Sequence, residues 1–141
     1  MKQIQQSKVL LIGAGSVGCE VLKNLTALKV AAGSGGEILV ADKGKVNASH
    51  MCSQMLYRSI DVGVSLQSVV LITGCPNDLS QKSKADLAVE RIGQLSSVKS
   101  NITPWVTNLD SREKEEFSRY DVVINASPAR YGLDDVIQFF Q

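Results

Sequence analysis

An α/β fold is predicted: a Rossmann-like open sheet, mostly parallel, with helices on both faces and a strand order of about 3-2-1-4. Three observations predict it. Short apolar runs rich in branched residues alternate with segments of helical spacing. The runs are apolar throughout, as in strands buried on both sheet faces. A glycine-rich turn joins the first run to the first helical segment.

Val9-Leu10-Leu11-Ile12 ends at Gly13 and predicts a strand over about 8–12. From Ser16 to Leu28, apolar side chains recur at Val17, Val21, Leu22, Leu25 and Leu28. That spacing predicts a helix with Glu20, Lys23 and Asn24 on its wet side. Ala31-Ala32-Gly33-Ser34-Gly35-Gly36 reads as a flexible break. Glu37 to Ala41 predicts the second strand, with Asp42 at its end.

Lys43 to Ser53 is expected to be loop, and Gln54 to Asp61 to hold a short helical turn. Ser68 to Thr73 fits either a strand or a buried helical turn, and Gly74-Cys75-Pro76-Asn77-Asp78 is a turn cluster. Ser80 is the expected N-cap of a helix with periodicity from Ser83 to Leu95. Strands are expected at about 101–106 and 121–125. A short charged helix follows Ser111, and another is expected from Leu133 to Phe140.

The chain has 141 residues, the size of one domain, with 44% hydrophobic and 21% charged residues. Fifteen Lys+Arg against fourteen Asp+Glu leave a net charge of +1. That balance does not support an electrostatic nucleic-acid or membrane-surface binder. No apolar run approaches the ~18–20 residues that span a bilayer. Cys19, Cys52 and Cys75 form no C-x-x-C pair, which disfavours a zinc site or a disulfide framework and fits a reduced compartment.

Gly13-Ala14-Gly15-Ser16-Val17-Gly18 is a G-x-G-x-x-G turn between strand and helix. The first glycine makes the tight turn, the second lets the backbone approach a phosphate, and the third lets helix pack on strand. Unpaired N–H groups at the helix start face the anion. Asp42, ending the next strand, stands where ribose hydroxyls would be bound. This pattern suits a dinucleotide as well as ATP, so an NAD-binding oxidoreductase half and a ligand-free scaffold or pairing domain remain alternatives.

The run from Lys8 to Leu25, with Gly18-Cys19-Glu20-Val21-Leu22-Lys23-Asn24 after the glycines, resembles the adenylation domain of ubiquitin-activating enzymes. The bacterial adenylyltransferases of molybdopterin and thiamine biosynthesis share that resemblance. Gly33 to Asp42 resembles the family's second strand, Ser53 to Tyr57 the stretch after it, and Lys82-Ser83-Lys84-Ala85 the start of its next helix. The family uses ATP and magnesium to adenylate the C-terminal carboxylate of a ubiquitin-like protein. The resemblance implies that Gly13, Gly15 and Gly18 line the phosphate-side turn, that Asp42 binds ribose and that Lys84 contacts the phosphates. It implies no metal ligand and no catalytic residue in this chain, and a cytoplasmic or nuclear location.

The departures follow a pattern. Where active members carry a second aspartate and then N-x-x-R-Q, this chain has Gly44, His50 and Ser53. The family's magnesium-binding aspartate falls at Pro128, and an arginine donated from upstream of the first strand has no counterpart. Proline cannot ligate a metal, and serine cannot supply the lost charge. The glycine turn resembles the active half of the eukaryotic enzymes, whereas Asp42-Lys43-Gly44, Cys52-Ser53-Gln54 and Asn125-Ala126-Ser127-Pro128 resemble their silent half. The expectation is one truncated domain over 1–141, with an insertion at about 64–80. It would be inactive alone, and would pair with a second adenylation-like half and a ubiquitin-like protein.

Cys19 is expected to pack, His50 to be a loop residue, and Trp105 to serve core or interface.

Overall fold

The computed structural model describes residues 2–46, 50, 54–58, 83–97, 99–106 and 117–127. Strand β1 spans Lys8–Ile12, β2 Glu37–Ala41, β3 Ile102–Trp105 and β4 Val122–Asn125. Helix α1 spans Lys2–Gln6, α2 Ser16–Ala27 and α3 Lys84–Leu95. The four strands form one parallel sheet in the order β3-β2-β1-β4, as the sequence predicts. Leu10 of central β1 stands opposite Leu39 on one side and Val123 on the other.

Alternation along the strands divides the core in two. Val9, Leu11, Ile38 and Val40 face the side covered by α2 and α3, where Cys19, Leu22, Ala85, Leu87, Ala88 and Ile92 are buried. Each large apolar side chain sealed there contributes roughly 1.5–3 kcal/mol. Leu10, Ile12, Leu39 and Ala41 face the other side, against Tyr120, Trp105, Phe117 and Val123. Both described long helices therefore lie on one face. The helical segments expected from 112 and from 133 fall outside the described residues, apart from Phe117.

Two expectations change. The cap of α3 is Ser83, whose side chain accepts the Asp86 N–H at 3.1 Å. Ser83 is also held by an antiparallel bridge to Lys45, whereas Ser80 lies outside the described residues. The break at 31–36 is pinned by hydrogen bonds. Ala31 N–H donates to the Ile4 carbonyl and Gly33 N–H to that of Gln5. The Asn101 amide donates to the carbonyls of Gly33 and Gly36 at 3.1 Å each. Helix α1, which the polar opening sequence did not signal, supplies the Ile4 and Gln5 carbonyls. No helix among the described residues is long and apolar enough to cross a membrane.

Candidate functional site at the sheet's switch point

The chain moves outward from β1 to β2 and β3, then returns to lay β4 on β1's other side. Ligands of open α/β sheets bind beyond the carboxyl ends of the strands at such a reversal. A cleft of about 630 Å³ lies there, lined by residues following β1, β2 and β4 and by the start of α3.

The first wall is the glycine turn. Gly13 has φ +95°, a conformation that L side chains rarely adopt, and its N–H continues the ladder to Ala41 at 2.8 Å. A β-carbon on Gly13 would also press on the backbone of Ala126 and Ser127. Gly15 is the N-cap of α2 and makes no side-chain cap. Nothing lies within 4 Å of where its β-carbon would stand. The N–H groups of Ser16 and Val17, at the helix start, have no acceptor among the described residues. Gly18 does not line the cleft. It lies behind the turn, where a β-carbon would overlap the Gly13 carbonyl oxygen. In this structure it lets α2 pack close against the turn, the packing part of the motif.

The second wall comes from distant parts of the chain. Asp42 Oδ2 accepts the Ala14 N–H at 2.8 Å, and Oδ1 accepts the Gly44 N–H at 2.7 Å. The carboxylate thus staples the end of β2 to the glycine turn, and each oxygen keeps a further lone pair. Lys84 donates its backbone N–H to the Gly44 carbonyl at 2.8 Å. Its aliphatic stem lies over Gly44. Among the described residues its ammonium has no ion-pair partner. Asn125, Ala126 and Ser127 close the cleft, set by the Ala126 N–H to Ile12 carbonyl bond and the Ser127 N–H to Asn125 Oδ1 bond.

The cleft thus brings together Gly13, Gly15, Asp42 and Lys84, four of the five residues singled out from sequence. Tyr57 was not among them. It is buried, and its hydroxyl donates to the Ala14 carbonyl at 2.7 Å while standing 3.1 Å from the Lys84 carbonyl. The aromatic in Ser53–Tyr57 was visible in the sequence, but the partner of its hydroxyl was not.

Cys19 is 1% exposed and hydrogen-bonds the same Ala14 carbonyl through sulfur. Burial pushes its thiol up to about 11, so it remains neutral at physiological pH and packs. His50 is held below its ordinary value by burial and then by the Lys84 charge, against the pull of Asp42. It stands in a 3-10 turn rather than the loop expected from sequence, and its carbonyl accepts the Gln54 N–H at 2.9 Å. Gln54 is buried, and its Oε1 has no partner among the described residues. Cys52, Ser53, Cys75, Pro128 and the 64–80 segment lie outside them.

An open α/β sheet with a glycine-rich turn and a lysine-bearing cleft at its switch point defines a Rossmann-like domain. Residues 1–137 match the ThiF family, and the chain belongs to it. It is 30% identical over 92 residues to ubiquitin-activating enzyme E1 1 of Candida albicans (strain WO-1), across 65% of this chain and 9% of that protein. It is 39% identical over 61 residues to human ubiquitin-like modifier-activating enzyme 1, across 43% of this chain and 6% of that one. The matched stretch is thus less than a tenth of either relative. Among solved structures, E. coli MccB with succinimide shares the fold, with TM-score 0.67 and 16% identity over 96% of this chain and 34% of its own. E. coli tRNA N6-threonylcarbamoyladenosine dehydratase, TcdA, does so with TM-score 0.65 and 19% identity, over 89% and 44%.

Proposed function

We propose that this chain is the nucleotide-binding half of an adenylation system that activates the C-terminal carboxylate of a ubiquitin-like protein. One observation carries the reading. The cleft places the amides of Ser16 and Val17, without an acceptor among the described residues, the open face of Gly15 and the Lys84 side chain around one space. Amides at a helix start and a mobile point charge suit a polyphosphate. Gly13 shapes the turn, Gly18 lets α2 approach it, and the remaining lone pairs of Asp42 suit ribose hydroxyls.

The lining fits ATP better than it fits a dedicated metal ion. Among the described residues lining the cleft, Asp42 is the acidic one. No group of three metal-ligating side chains stands together among the described residues. Magnesium would therefore arrive with the phosphates, which usually supply part of its coordination. In the proposed reaction, a carboxylate oxygen bonds to the α-phosphorus, the bond to the bridging oxygen breaks, and pyrophosphate leaves. The charge stabilisation missing at Gly44 and Ser53 would come from a second adenylation-like half, in the cytoplasm or nucleus, so the chain alone would be inactive.

Calorimetric titration of the full chain with magnesium-ATP, with NAD as the comparison, tests this. The expected result is saturable ATP binding, weakened about tenfold or more in Lys84→Met, because a charged contact to phosphate is lost. NAD binding without ATP binding would move the chain to the oxidoreductases, and binding of neither would leave a scaffold. Pyrophosphate exchange by the chain alone would sink the inactivity.

A further inference from the structure

We propose that Tyr57 is a positioning residue for the anion cleft, holding the Ala14–Gly15 peptide so that its N–H serves the ligand. This rests on the nucleotide reading above and adds a residue to it. A trans peptide is planar, with its C=O and N–H pointing in opposite directions. The Ala14 carbonyl points inward, onto the Tyr57 hydroxyl at 2.7 Å and the Cys19 sulfur at 3.6 Å. The Gly15 N–H of the same plane therefore points away from both. Gly15 lines the cleft, and its N–H has no acceptor among the described residues.

The preceding peptide, Gly13–Ala14, is held too. Asp42 Oδ2 holds the Ala14 N–H, so the residue between the first two glycines is gripped on both flanking peptides. A glycine-rich turn has many accessible backbone conformations, and Gly15 carries no side chain to restrict them. The buried hydroxyl supplies that restriction. The hydroxyl also stands 3.1 Å from the carbonyl of Lys84, the first residue of α3. One group thereby fixes the orientation of an amide donor and its spacing from the start of the helix that carries the cation. Tyr57 is only 4% exposed, and its ring packs in the same core as Cys19 and Ala85. It acts through its neighbours and touches no ligand.

Tyr57→Phe removes the hydroxyl and keeps the ring. The experiment titrates the full chain and its Tyr57→Phe, Lys84→Met and doubly substituted forms with ATP and with inorganic tripolyphosphate. Melting curves and the backbone amide resonance of Gly15 are recorded alongside. The expected loss in Tyr57→Phe is about three- to tenfold, the size of one hydrogen bond. It should be the same for both ligands, since the arranged groups meet phosphate. The Gly15 amide should shift and exchange faster in the variant without ligand. The double variant should lose less than the product of the two single losses, because the two groups are coupled. Wild-type binding that Tyr57→Phe leaves unchanged overturns the positioning role alone. So does a loss that is strictly multiplicative with Lys84→Met, or one seen with ATP but not with tripolyphosphate. A wild type silent to both ligands overturns the nucleotide reading and the role built on it.

Discussion

The two walls of the cleft are held by different kinds of constraint. The glycine-turn wall is contiguous in sequence, and sterics shape it: positive φ at Gly13 and backbone contact at Gly18. The opposite wall draws on Asp42, Gly44, Lys84 and Asn125–Ser127. They come from three separate parts of the chain, and individual hydrogen bonds tie Asp42 to Gly44, Gly44 to Lys84 and Ala126 to Ile12. A wall built on close backbone contact is rigid and intolerant of added atoms, whereas one built from tethers weakens a bond at a time. Substitutions on the two sides should therefore differ in size and in kind.

The largest difference is expected between two glycines three residues apart. Gly18→Ala places a methyl group against the Gly13 carbonyl, a backbone atom with no rotamer through which to retreat. It should destabilise the chain by about 2–4 kcal/mol, read by urea unfolding. Gly15→Ala meets nothing within 4 Å, so stability should change by no more than about 1 kcal/mol. Its effect should fall on ATP affinity instead. Equal destabilisation by the two would mean that the turn is not divided into a packed and an open side.

Asp42→Asn tests the staple between the walls. The carboxylate accepts the Ala14 N–H with one oxygen and the Gly44 N–H with the other. Asparagine has one acceptor oxygen and turns an NH₂ toward the second donor. A loss of about 1–3 kcal/mol is expected in the same unfolding experiment, smaller than that of Gly18→Ala. A neutral outcome would show that the walls stand independently.

The same contrast governs what could be read from sequence. All four strands and their order followed from apolar runs and the glycine turn, because strand burial and tight turns are written in neighbouring residues. The glycine turn also pointed to Gly13, Gly15 and Asp42, and the family resemblance to Lys84, which the fold gathers into one cleft. What escaped depends on partners distant in sequence. Helix α1 is short and polar, and it matters because its carbonyls receive Ala31 and Gly33. The 31–36 segment has the composition of a flexible break, yet Asn101 fastens it. Tyr57 looked like one aromatic in a resembling stretch until its hydroxyl met Ala14. The motif already gave the third glycine a packing role, but the atom it packs against, the Gly13 carbonyl, shows only in the structure.

The smallest expected effect compares the two helix starts that face the cleft. Ser83 caps α3 by accepting the Asp86 N–H, and its hydroxyl donates to the Asp86 carboxylate at 2.7 Å. It is buried, and its carbonyl receives the Leu87 N–H. Ser83→Ala should cost about 1 kcal/mol, the usual value of a lost serine cap. Because Lys84 is the next residue, faster amide exchange should be confined to the first turn of α3. Ser16, at the start of α2, is exposed, and the cap position before it is a glycine without a side-chain bond. Ser16→Ala should therefore change stability by less than about 0.5 kcal/mol. This asymmetry has a physical basis. Among the described residues, the Ser16 and Val17 amides at the start of α2 have no acceptor, whereas at the start of α3 Gly44 takes the Lys84 N–H and Ser83 the Asp86 N–H, and the side chain presented is a cation. If Ser16→Ala proved as costly as Ser83→Ala, the α2 amides would already have an internal partner, and the division of labour between the walls would fail.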